Sequence, residues 1–293
     1  MGGPCRLRVD CDDSGLVSRA LRITEEELAR LEARYSRYRE DSLISRINRS
    51  AGREAVVIDP ETAGLLAYAD QVWRHSDGLF DPTSGVLRQA WNFRGSALPS
   101  QAQLQPLLAL VGWKQVRWSE KEVFLELPGM ELDLGGCVKE YACDVVVSRL
   151  QELGVRHALI DLAGDMAVTG PQGDGSPWRI GVQHPLEDRA LAWVPLSTGA
   201  LASSGDYRRC LVVEGKRYGH ILNPRTAWPV QGLAAASVVA PQCLVAGSAA
   251  TVALLKAEQE GLAWLEGFGL PWLAVDRAMQ VHGTGGDTSD DGR

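Results

Sequence analysis

The chain has 293 residues, 45% hydrophobic and 23% charged, enough ordinary globular sequence for one large core or two modest ones. A formal net charge of -7 and a pI near 5.3 argue against general nucleic-acid binding, which needs a basic surface. No apolar run of about 18 residues exists, so no membrane-spanning helix is expected.

At the N-terminus no basic-then-apolar leader is present, which predicts the cytoplasm, or the periplasm if a leader has been removed. Cys5-Arg6-Leu7-Arg8-Val9 alternates as a short strand, and Leu16 to Tyr35 reads as a long amphipathic helix. The segment from Tyr35 to Asn48 is polar and aromatic, with Arg37 and Arg39 as forks able to hold a carboxylate or phosphate; a solvated helix end is the plainer reading. Pro60 to Ser76 is a helix capped by Asp59, ending at the turn Asp77-Gly78. Leu79 to Gly85 carries turn chemistry. Trp91-Asn92-Phe93 either flanks a flat ring or packs in the core. A small helix follows over Gln101–Leu110, then a hairpin over Trp113–Leu127 turning at Ser119-Glu120-Lys121.

Asp133-Leu134-Gly135-Gly136 is the stretch on which the chain turns. An apolar, acidic strand-like run from Val123 to Leu132 arrives at it, and a helix with apolar positions Val138, Tyr141, Ala142, Val145 and Val146 leaves it. Two glycines at a strand-to-helix corner let a ligand approach the backbone, the helix start favours a phosphate, and Lys139 adds a cation. A tight turn before a core helix is the competing reading.

Beyond the central helix, Ala158–Leu162 reads as a buried strand broken by Ala163-Gly164-Asp165. Trp178–Val182, Leu191–Leu196 and Gly199–Ser203 read as strands, and Leu211–Tyr218 as a hairpin turning at Glu214-Gly215. Ser203 to Tyr207 gathers hydroxyls, a glycine and Asp206. His220-Ile221 precedes the proline turn Asn223-Pro224-Arg225-Thr226. A strand over Leu233–Ala240 leads to a helix of small residues, Cys243–Ala257, then a helix over Glu258–Phe268 and a strand over Trp272–Asp276. The polar tail, residues 283–293, is expected to be disordered. Six cysteines without CxxC spacing suggest reduced thiols. Strands cluster with hairpin turns, so the expected class is α+β with mixed sheets and packed helices. Neither the dinucleotide GxGxxG fingerprint nor the phosphate loop is present.

These motifs, taken in order, resemble the FAD:protein FMN transferases, the ApbE-like flavin transferases. They are Tyr35-Ser36-Arg37-Tyr38-Arg39-Glu40-Asp41-Ser42, Phe80-Asp81-Pro82-Thr83, Asp133-Leu134-Gly135-Gly136 with Lys139 and Tyr141, Ala163-Gly164-Asp165, Ser204-Gly205-Asp206-Tyr207, His220-Ile221 and the late helix at residues 246–251. The resemblance implies one domain over residues 1–276, or two lobes with FAD in a cleft. It implies cleavage of the FAD diphosphate with magnesium, transfer of FMN to a Thr or Ser of an acceptor flavoprotein, and release of AMP. Carried over by position, Met1, Tyr38, Trp91, Asn92 and Phe93 would line the flavin and adenine pockets. Asp133, Gly136, Lys139, His220 and Ile221 would also meet FAD. His220 or Asp206 would accept the hydroxyl proton, and the Gly135 oxygen and Thr251 would hold the metal. The family's late helix has an aspartate where this chain has Gly247, and its glycine after the lysine is here Glu140. Loss of that aspartate predicts a weakened metal, so the alternatives are a flavin-binding protein without turnover and an FAD pyrophosphatase.

Overall fold

The computed structural model describes residues 3–207 and 209–284. Met1 and most of the predicted tail lie outside the described residues. In chain order the first elements are β1 (Cys5–Val9), α1 (Ser14–Tyr35), α2 (Leu43–Arg49), β2 (Val56–Val57), α3 (Pro60–His75), α4 (Gln101–Leu108), β3 (Val116–Trp118) and β4 (Glu122–Leu125). Then come α5 (Val138–Glu152), β5 (Ala158–Leu162), β6 (Asp165–Val168), β7 (Trp178–Gln183), β8 (Ala190–Leu196), β9 (Gly199–Gly205), β10 (Cys210–Val213) and β11 (Lys216–Gly219). Last are β12 (Ala235–Ala240), α6 (Cys243–Leu255), α7 (Glu258–Gly267), β13 (Trp272–Val275) and β14 (Val281–Gly283). The α+β class expected from the sequence is what forms.

By contacts the chain divides into two compact units. One takes in the chain through Glu32, residues 137–205 and the chain from Gly232; the other takes in residues 33–136 and 206–231.

The first unit is built on a seven-stranded sheet in the order β1-β5-β6-β9-β12-β13-β14, antiparallel at every pairing. Helix α6 packs on β9, β12 and α5, and α7 packs on α6. The small residues of α6 make this approach close: Ala246, Gly247, Ala249, Ala250 and Ala253 are all buried. Strands β7 and β8 form a separate hairpin. The expected break at Ala163-Gly164-Asp165 is instead a two-residue hairpin loop, because β6 resumes at Asp165 directly opposite Leu162. Ala163 (φ 56) and Gly164 (φ 99) both take the left-handed backbone that such a loop needs. Gly283, expected in the tail, pairs with Leu273 as part of β14.

In the second unit a three-stranded sheet, β2-β4-β3, accompanies the β10–β11 hairpin and helices α2 to α4. Asp59 caps α3 as its sequence suggests, accepting from the Thr62 amide at 2.9 Å. The segment after Tyr38, read as a solvated end, contains α2. Ser42 caps it and Leu43, Ile44 and Ile47 are buried beneath it. The run into Asp133 is strand only to Leu125, so the glycine corner opens from irregular chain rather than from a strand end.

Candidate active site

In the second unit, the glycine corner is open. Gly135 and Gly136 are exposed, and the Asp133 carboxylate beside them is fixed by two donors. The Gly135 amide donates to Asp133 Oδ1 at 2.9 Å, and the Arg37 guanidinium pairs with Oδ2. The fork at Arg37 thus holds a carboxylate, and it is the chain's own. Arg37 also donates to the Tyr38 hydroxyl at 2.9 Å and lies 5.0 Å from the ring centroid. Tyr38 is 74% exposed, and its hydroxyl is held below the usual phenol range chiefly by that Arg37 bond. An exposed aromatic face backed by a cation suits stacking against a flat ring.

Trp91 takes the core reading. It is 4% exposed, its indole N–H donates to the Ala227 carbonyl at 2.8 Å, and it stacks on Phe93 with centroids 5.6 Å apart. Trp228 meets it edge-on at 5.3 Å. The neighbours of Trp91 on the segment are the exposed Asn92 and the half-buried Phe93.

His220 and Asp206 also belong to this unit. His220 Nδ1 lies 3.2 Å from the Arg209 carbonyl. A carbonyl only accepts, so this bond puts the ring proton on Nδ1 and leaves Nε2 as the basic nitrogen. Burial, then the Arg209 charge, holds the imidazole below its ordinary value and keeps it neutral. Asp206 is 3% exposed and packs against Gly219, where any Cβ would stand 2.5 Å from the Asp206 Cβ. A carboxylate so enclosed suits a positioning role, leaving His220 as the stronger base candidate. Ile221 is half-buried, and its carbonyl accepts from the Val230 amide at 3.0 Å.

The first unit gathers a second group around α5 and α6. Lys139, in the first turn of α5, pairs its ammonium with Asp165 Oδ2. Asp165 is 1% exposed, and its Oδ1 accepts the Ser203 amide at 3.1 Å. Burial works against the Lys139 charge, but Asp165 and Glu140 outweigh it and raise the ammonium above its ordinary value. Thr251 on α6 shares a hydrogen bond with Ser204 of β9 at 2.8 Å. Asp144, four residues along α5 from Glu140, accepts the Cys243 and Leu244 amides at 2.7 and 2.9 Å. It caps α6, whose own N-cap residue, Gln242, makes no side-chain cap.

Glu140 is the residue whose role the sequence did not reveal. It is buried at 6% exposure, and its Oε2 has no hydrogen-bond partner; neither does the buried Ser248 Oγ. Burial first, then the Asp165 carboxylate, pushes Glu140 up to about 8, with Lys139 pulling the other way. Its side chain fills the space over Gly247, where an added Cβ would stand 2.5 Å from Glu140 Cγ and 3.0 Å from Oε1.

The resemblance implies a divalent cation held by oxygen donors. Among the described residues no three His, Cys, Asp or Glu side chains form a ready-made cage. Magnesium does not need one: a carboxylate or two with phosphate oxygens is its usual protein environment. An orphaned buried carboxylate oxygen and the neighbouring hydroxyls of the α6 helix are hard oxygen donors and fit such an ion.

The fold is similar to that of the apo flavinyl transferase ApbE from Pseudomonas stutzeri, with a TM-score of 0.86 at 28% identity over 98% of this chain and 92% of that one. An FAD:protein FMN transferase from Klebsiella pneumoniae (strain 342) is 32% identical over 236 residues, 78% of this chain and 72% of its own length. One from Vibrio cholerae serotype O1 is 28% identical over 247 residues, 82% of this chain and 74% of its own. The ApbE family model matches residues 1–273, and the chain belongs to that family.

Proposed function

We propose that the chain is an FAD:protein FMN transferase. The observation that carries this reading is the family match over residues 1–273, together with relatives of that name at up to 32% identity among those compared. The substrate is FAD, and the acceptor is a Thr or Ser hydroxyl of a flavoprotein. The acceptor oxygen attacks the phosphorus of the FMN half and a new P–O bond forms. The bond to the AMP phosphate breaks, and the electron pair leaves with AMP. In-line transfer of this kind depends on holding the phosphates and placing a base. Magnesium, when bound, neutralises charge on the diphosphate.

The chain's own residues divide the remaining work. His220 presents a neutral Nε2 able to take the hydroxyl proton, its Nδ1–H anchored on the Arg209 carbonyl. The exposed Gly136 offers its amide to a phosphate, while the Gly135 amide is engaged by the Asp133 carboxylate. Tyr38, held by Arg37, offers a stacking face. Lys139 brings a cation fixed by Asp165.

The test is to incubate the protein with FAD, magnesium and a candidate acceptor. The expected result is one FMN mass added to the acceptor by mass spectrometry, with one AMP released per transfer. AMP release with no mass gain, acceptor present or absent, would instead mark an FAD pyrophosphatase. No AMP at all would mark a flavin-binding protein.

A further inference from the structure

We infer that Glu140 supplies the side-chain carboxylate for the divalent cation in this chain, from α5 instead of from position 247 on α6. This deepens the proposed transferase reading and rests on it. The resemblance places an aspartate at 247 and a glycine at 140, and this chain has the reverse at both positions. The structure gives that reversal a physical meaning. With no side chain at 247, the Glu140 side chain occupies the hollow on the α6 face, its Cγ 2.5 Å from where a Cβ would begin. Thr251 lies one helical turn beyond Gly247, on the same face of α6. The acid therefore reaches the same face of α6 from the opposite helix.

Two further features favour a cation over simple packing. Glu140 Oε2 is buried with no hydrogen-bond partner, and leaving a carboxylate oxygen so placed is costly unless something positive meets it. Lys139 does not meet that need, because its ammonium is directed to Asp165 Oδ2. An apolar residue would fill the same volume without burying an unmet acid oxygen; a divalent cation would meet that oxygen and hold Glu140 as the carboxylate, where burial and the Asp165 carboxylate otherwise favour the protonated acid. By the same geometry Gly247→Asp alone would not complete the site, because the new side chain would collide with Glu140.

The experiment titrates Mn²⁺ alone into the full-length protein and reads the free aquo ion by electron paramagnetic resonance, with thermal midpoints measured alongside. Glu140→Gln keeps the shape and removes the charge. It is expected to weaken Mn²⁺ binding by about tenfold or more without lowering the midpoint. Gly247→Asp alone is expected to lower the midpoint. The double variant Glu140→Gly, Gly247→Asp is expected to recover the natural affinity to within about threefold. Natural affinity in Glu140→Gln, no Mn²⁺ uptake by the natural chain, or a folded double variant that fails to recover binding would each overturn the inference. Failure of the transferase reading looks different. Mn²⁺ bound through Glu140 with no FMN mass on the acceptor would overturn that reading alone. FMN transfer left intact by Glu140→Gln would overturn the Glu140 assignment alone.

Discussion

Replacing Lys139 with Met would strand the Asp165 carboxylate, which is 1% exposed and has the Lys139 ammonium on one oxygen. Breaking one side of a buried pair leaves a charge without compensation, so the expected loss is about 3 kcal/mol in urea unfolding. The double variant Lys139→Met, Asp165→Asn should regain more than half of it, while AMP release stays lost in both. His220 carries a pH prediction. Its folded-state value lies below the ordinary histidine value, so the unfolded chain takes up the proton first as pH falls. Its contribution to stability is full above about pH 6.5 and is lost as pH drops through the lower folded value. Urea midpoints at pH 7.5 and 5.0 should therefore fall more steeply for the natural chain than for His220→Gln. Transfer should weaken over the same acid range as Nε2 becomes protonated. At this scale the sequence disclosed residue types but not their neighbours. Lys139, Asp133 and His220 stood out by motif. Glu140 stood out only as a departure from the family's glycine, because what gives it a role is a contact with a glycine far along the chain.

Among the elements, α6 depends on a cap borrowed from α5. Asp144 receives the Cys243 and Leu244 amides, so Asp144→Ala should cost about 1–2 kcal/mol and lower the thermal midpoint, whereas Asp144→Asn, which keeps an acceptor, should lose less. The longer helices were legible because their signals are local: Asp59 before Pro60, apolar spacing after Val138, a small-residue run after Cys243. Strand β6 was not, since a loop of only two residues reads as an ending when the strand in fact resumes at once. Helix α2 was hidden by its charge, with only Leu43, Ile44 and Ile47 turned inward from a polar run. Trp91 was legible only as an aromatic; the Ala227 carbonyl that satisfies it lies far away in sequence.

For the whole molecule, the α+β class followed from hairpin-rich strand clusters, but the strand order did not. Neighbours such as β1 with β5, or β9 with β12, are joined by long excursions that no local pattern encodes. Binding should be visible in the unfolding of the entire chain. A ligand that binds only the folded state adds about 2.7 kcal/mol at a concentration of 100 times Kd. FAD is expected to raise the thermal midpoint in a concentration-dependent way, and AMP alone to raise it less.

The fit of Glu140 over Gly247 also limits the mutational routes open to such a chain. A chain with acids at both positions would suffer a collision, and a chain with glycine at both would have a hollow and no acid. Single-step change between the two arrangements therefore passes through an impaired ancestor. Across many sequences, positions 140 and 247 should covary as Glu with Gly or Gly with Asp, and mixed pairings should be scarce.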